Sequence, residues 1–119
     1  DDVTQTFFAA ARSDRDATRE SEFLYLDAIM NSDSSTESAK KTAQEQKLAL
    51  VERMEKELAL ETLIKGKGFD DVIVTIGDKG VSIVVGSEEL TVEQANQILS
   101  VVVSETTFKA TEVNVIPYN

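Results

Sequence analysis

Four short runs in this sequence carry residue types that catalysis or ligand binding could use. Ser38-Ala39-Lys40-Lys41 has the S-x-x-K spacing in which a lysine sits beside an acyl-transfer serine. It lies in a polar linker, lacks S-D-N and K-T-G partners, and belongs to a chain of 119 residues, too short for the folds that use it. Gly77-Asp78-Lys79-Gly80 has the G-x-x-G spacing with which KH domains clamp a nucleic-acid backbone. There the loop joins two helices. Here it joins two β-branched runs and includes an acid, which makes it a hairpin turn. Asp14-Arg15-Asp16 and Glu88-Glu89 are the nearest approaches to a cation site. Neither has the ligand spacing or the glycine of a calcium loop, so both read as solvated charge.

Composition removes most of the remaining chemistry. The chain has no His and no Cys, so a structural zinc site, a thiol nucleophile, a disulfide frame and a Ser-His-Asp triad are all excluded. The acidic residues fall on faces that the pattern makes exposed, so no two carboxylates can be set in acid and base roles. No catalytic residue, cofactor or metal is expected. With 22 acidic against 12 basic side chains, the net charge of −10 opposes binding to phosphate backbones and argues against nucleic acid as a partner. No apolar run reaches the ~18 residues that span a bilayer. The first residue is Asp rather than Met, which fits a mature or trimmed piece of a longer protein.

The elements follow from periodicity. Residues 1–30 form a helical arm without Gly or Pro; Phe7, Phe8 and Ala11 at one end and Phe23, Leu26, Ile29 and Met30 at the other flank a charged middle. A helix polar through its middle does not lie fully on a core, so the arm either projects or docks through its ends. Residues 31–38 are a Ser-rich linker, and residues 39–119 a compact domain. Its first helix runs to Lys65 and is stopped by Gly66 and Gly68; Val51, Met54 and Leu58, with Leu48, Leu50 and Ile64 beside them, form its apolar stripe. The runs 72–76 and 81–85 form a hairpin with Ile76 opposite Val81, Val74 opposite Ile83 and Val72 opposite Val85. Thr91 and Gln94 make a capping box for a helix with Ala95, Ile98, Leu99, Val102 and Thr106 on one face. A terminal strand closes at Pro117, which suits an edge.

The resulting fold class is α+β, a two-layer α-β-β-α-β domain with a three-stranded sheet, preceded by the helical arm. Val72, Val74, Ile76, Val81, Ile83, Val85, Val113 and Val115 point inward, while Ile73, Val84 and Ile116 form a small apolar patch on the opposite face.

Residues 55–74, 81–85, 90–95 and 113–117, beginning Glu55-Lys56-Glu57-Leu58 and closing Val113-Asn114-Val115-Ile116-Pro117, resemble the stage III sporulation AH family of endospore-forming bacilli. The resemblance covers the compact domain and, with the arm, the whole of this chain. It implies a ring-building motif similar to that of the YscJ/FliF proteins, whose order is α-β-β-α-β. It further implies an anchor before Asp1 in the mother-cell membrane and a soluble part in the space around the forespore. The implied partner is the forespore protein SpoIIQ, in an intercellular channel, with copies of the chain or its paralogues as ring neighbours. A generic ring or scaffold domain of a secretion-type basal body is the alternative, and a KH-like nucleic-acid module a weaker one.

Two candidate contact surfaces go with that reading. One is the arm, with Phe7, Phe8, Arg12, Arg15 and Arg19: three of the 12 basic residues lie on one helix face beside two aromatics that the domain core does not require. The other is the open sheet face, Ile73, Val84 and Ile116, or an unpaired strand edge offered for β-augmentation.

Overall fold

The computed structural model describes residues 2–119. A long helix α1 (Asp2–Asn31) is followed by a tight connector and a second long helix α2 (Glu37–Lys65). The hairpin β1 (Val72–Ile76) and β2 (Val81–Gly86) comes next, then α3 (Val92–Glu105), a 3₁₀ turn (Ala110–Glu112) and the last strand β3 (Val113–Tyr118). The sheet order is β1-β2-β3, with β1 antiparallel and β3 parallel to β2.

Local chemistry accounts for the element ends. Thr36 caps α2 by accepting from the Ala39 amide at 3.0 Å. Thr91 and Gln94 form the expected reciprocal box at 3.1 and 3.0 Å. Gly68, at φ +107°, turns the chain out of α2 in a conformation other residues avoid. Gly80 has a different reason: a Cβ there would stand 2.6 Å from the Glu112 carbonyl oxygen. The hairpin adopts the register the sequence dictates, Val72 with Val85, Val74 with Ile83 and Ile76 with Val81.

α2 and α3 cover one face of the sheet. Leu60 and Ile64 of α2, Ile98 and Val102 of α3, and the odd-even matched set Val72, Val74, Ile76, Val81, Ile83 and Val85 form the core, with Val113 and Val115 packed at its border. Burial of this apolar area is the main force holding the two layers together. The stripe expected on α2 is displaced. Leu48 and Leu58 are exposed, Val51 and Met54 half-buried, and the buried face is Ala43, Leu50, Glu57, Leu60, Glu61 and Ile64. Two carboxylates occupy positions on that face, so apolar periodicity alone aims at the wrong side.

α1 does not project. It runs antiparallel to α2, with Lys47 Nζ bonded to Asp27 at 2.7 Å near the connector and Arg15 to Glu61 at 2.7 Å near the sheet. Its charged middle, which the sequence makes a poor fit for an apolar core, packs along the edge of β1.

Candidate partner interface

The edge of β1 explains where the arm arginines go. Asp71 and Gly77 make their backbone bonds toward β2, so Val72, Val74 and Ile76 direct their N–H and C=O groups outward. Such groups, buried without partners, cost of order 1–3 kcal/mol each. Here side chains satisfy the Val72 carbonyl and both groups of Val74 and of Ile76. The Val74 N–H donates to Glu61 Oε2 at 2.8 Å, and Arg15 Nη1 donates both to that oxygen, at 2.7 Å, and to the Val74 carbonyl, at 2.6 Å. Ile76 repeats the arrangement: its N–H donates to Glu57 Oε2 at 2.7 Å, while Arg19 Nη2 reaches the same oxygen at 2.8 Å and the Ile76 carbonyl at 3.3 Å. Arg12 Nη2 closes the row on the Val72 carbonyl at 2.9 Å.

Each Glu-Arg pair thus stands in for a residue of a missing strand, the carboxylate serving as acceptor and the guanidinium as donor. The repeat lengths permit it. Two strand residues span about 6.6 Å. Four helical residues, the spacing of Glu57 to Glu61 and of Arg15 to Arg19, span about 6 Å. Glu57 and Glu61 are only 2% and 6% exposed, which corrects the expectation that the acidic residues lie on open faces. Arg19 is 6% exposed and Arg15 half-buried, both bound within the chain.

The arm aromatics divide. Phe8 is fully buried, close to where a Cβ on Gly86 would lie, so the core does use it, contrary to the premise that selected it. Phe7 remains half-exposed and stacks on Tyr118 of β3, with ring centroids 3.8 Å apart and planes at 12°. Tyr118 was not among the sequence-selected residues; nothing local in the sequence ties a C-terminal tyrosine to an N-terminal phenylalanine.

That stack joins the arm to the uncovered face of the sheet. Tyr118 and Ile116 lie on one side of β3, and Ile116 is the register partner of Val84. Ile116 is 40% exposed, Val84 half-buried, and Ile73 buried at 5%. The structure therefore brings Phe7, Tyr118, Ile116 and Val84 into one patch, with half-exposed Arg12 on the arm, and takes Phe8, Arg19 and Ile73 out of reach. The neighbouring side chains on this face, Thr75, Ser82 and Asn114, are uncharged. At the outer edge of β3, Tyr118 bonds toward Ser87, so Val113, Val115 and Pro117 face outward. The Val113 N–H is taken by the Ala110 carbonyl and Pro117 has none, leaving Val115 as the outward donor.

Such an arrangement can make contacts; it holds no convergent set of reactive groups. Among the described residues, no group of three or more His, Cys, Asp or Glu is placed to hold a metal ion, and no helix is long and apolar enough to cross a membrane.

Fold and surface together define a small two-layer α+β domain whose candidate site is a protein contact surface. The family model described as SpoIIIAH-like protein matches residues 1–115, and the chain belongs to that family. It is 34% identical over 107 residues to stage III sporulation protein AH of Bacillus subtilis (strain 168), a match covering 87% of this chain and 49% of that protein. The chain therefore spans about half the length of this curated relative. A solved structure described as the SpoIIQ-SpoIIIAH pore forming complex contains a similar chain, with TM-score 0.84 and 31% identity, covering 93% of this chain and 96% of that one. The family is one of sporulation proteins and is not a known enzyme family.

Proposed function

We propose that this chain binds a SpoIIQ-type protein in the space between the mother-cell and forespore membranes, as part of an intercellular channel complex. The observation that carries this reading is the patch formed by Phe7, Tyr118, Ile116 and Val84, an apolar surface whose strand neighbours Thr75, Ser82 and Asn114 are uncharged and whose rim carries the Arg12–Asp71 pair. Uncharged, aromatic-containing patches are what protein interfaces use at their centres. The likeness to a chain seen in a SpoIIQ-SpoIIIAH complex supports the choice of partner. Arg12, half-exposed beside the patch, supplies a rim contact; Arg15 and Arg19 act indirectly, by holding α1 where Phe7 meets Tyr118.

The test is a calorimetric titration with the soluble domain of SpoIIQ. Ile116→Asp is expected to weaken binding at least tenfold while leaving the circular dichroism spectrum unchanged. Unaltered affinity in Ile116→Asp and in Phe7→Ala would remove this surface from the interface.

Ring assembly is a second part of the proposal. The outward side of α3 presents Val92, Asn96, Ser100 and Val103, exposed and uncharged in a chain where 29% of residues are charged. A heterologous contact between that side and a different surface of the next copy is the kind that closes rings. Sedimentation at rising concentration, comparing the parent chain with Val103→Glu, tests it.

A further inference from the structure

The open face of the sheet ends in a row where the middle strand carries no side chain, and α1 fills the space. The Gly86 N–H donates to the Asp71 carbonyl at 2.8 Å, and Gly86 is the register partner of Tyr118, so Asp71, Gly86 and Tyr118 stand side by side. Alternation puts all three on the face that carries Val84 and Ile116. A Cβ on Gly86 would lie 3.5 Å from Phe8 Cε2 and 3.1 Å from Asp71 Cβ. The Phe8 ring therefore takes the place that a side chain at residue 86 would use.

Phe8 is completely buried and out of a partner's reach, yet it meets both rings of the Phe7–Tyr118 stack. It stands perpendicular to Phe7, with centroids 5.3 Å apart and planes at 89°, and perpendicular to Tyr118, at 6.2 Å and 89°. Edge-to-face contact is a favoured arrangement of aromatic rings at such distances. Phe7 and Tyr118 are nearly parallel at 3.8 Å, so one perpendicular ring sets the tilt of both. Phe8 is held in turn by Arg12, one helical turn on, whose guanidinium carbon lies 5.8 Å from the ring centroid and whose Nη2 is bound to the Val72 carbonyl.

We infer that Phe8, seated over Gly86, is a positioning residue for the partner surface: it holds Phe7 and Tyr118 stacked in the arrangement that the partner meets. The inference rests on the proposal that this patch binds a SpoIIQ-type protein. Its physical basis is preorganisation. Phe7 and Tyr118 are half-exposed, and rings at a surface move among several rotamers unless something beneath them fixes one. A partner that had to order both rings on binding would lose about tenfold in affinity. Gly86 belongs to the same device, since a larger side chain there would compete with Phe8 for its seat.

The experiment uses the 119-residue chain carrying Tyr25→Phe, which leaves Tyr118 as the one tyrosine. Three quantities are measured for each further variant: the Tyr118 ring-proton shifts, which stacking on Phe7 moves upfield, the affinity for the soluble domain of SpoIIQ by calorimetry, and the thermal midpoint. Phe8→Leu keeps the seat apolar and removes the perpendicular ring. It is expected to move the Tyr118 resonances toward their unstacked positions and to weaken binding about tenfold. Ile98→Val, in the core on the covered face of the sheet, is the control: it lowers the midpoint and leaves the Tyr118 resonances and the affinity as they were. Unchanged affinity in Phe8→Leu overturns the inference, and so does weaker binding with the Tyr118 resonances unmoved. An equal loss of affinity in Ile98→Val also overturns it, because Phe8 would then act through stability alone. If Phe8→Leu fails to fold, Phe8→Met takes its place, and loss of fold in both overturns it for the same reason. Phe7→Ala separates this failure from failure of the underlying proposal. If Phe7→Ala weakens binding and Phe8→Leu does not, the patch binds and Phe8 does not position it; if neither weakens binding, the patch is not the partner surface and the inference falls with it.

Discussion

Arg19 and Glu57 are both almost fully buried, and each holds the other as well as one backbone group of Ile76. A buried ion pair adds little over an apolar pair of the same shape, but removing one member leaves an unpaired charge at a cost of about 3–5 kcal/mol. Arg19→Ala is expected to lose about 3 kcal/mol of stability, and Arg19→Ala/Glu57→Ala less than the sum of the two single changes, as read by urea unfolding in a double-mutant cycle. Equal additive losses would mean that the two side chains act independently. Gly80 tests a steric requirement. With the Glu112 oxygen 2.6 Å from the position of a Cβ, Gly80→Ala must shift the β2–β3 junction, and a loss of about 1–3 kcal/mol is expected in the same assay.

At the level of elements, β1 is an edge strand in backbone pairing and an interior strand in solvation. Its Val74 and Ile76 amides donate to carboxylates rather than to a neighbouring strand. Amide exchange is expected to protect them as strongly as amides of the β1–β2 ladder; exchange at the rate of an open edge would show that the Glu-Arg cover does not persist in solution. α3 depends on its own sequence to a greater degree. Its capping box is exposed and local, so Thr91→Ala is expected to cost about 1 kcal/mol, seen as a fall of about 4–6 °C in the thermal midpoint, with no change at the sheet edge.

For the whole molecule, the packing of α1 predicts a single cooperative unit. Phe8 is buried, Phe7 stacks on Tyr118, and three arginines hold the edge of β1, so α1 cannot leave without exposing polar and apolar groups together. The chain has two tyrosines, and Tyr25→Phe leaves Tyr118 as the one remaining. In that variant, unfolding followed by tyrosine fluorescence and by helical circular dichroism is expected to coincide. A fluorescence change that precedes the helical transition would mean that the arm separates before the rest unfolds.

How far the sequence determined this protein differs between its two halves. From Val72 onward the signals are local: β-branched alternation, a turn of defined length and a capping box set the hairpin, its register and α3, because each arises from neighbours along the chain. The same is true of the inward set. The course of α1 is decided only in the tertiary structure. Arg15, Arg19, Glu57 and Glu61 read in sequence as solvent-facing charge, and only when 46 and 38 residues of separation are closed do they meet across one strand edge. The spacings were visible, Arg to Arg and Glu to Glu at four residues and Val74 to Ile76 at two, but their meaning required three elements side by side. For the same reason the sequence marks neither Phe8 as a core residue nor Tyr118 as its neighbour's partner. Apolar periodicity reports which groups avoid water; it is silent on polar groups that leave water because each finds its partner on another element.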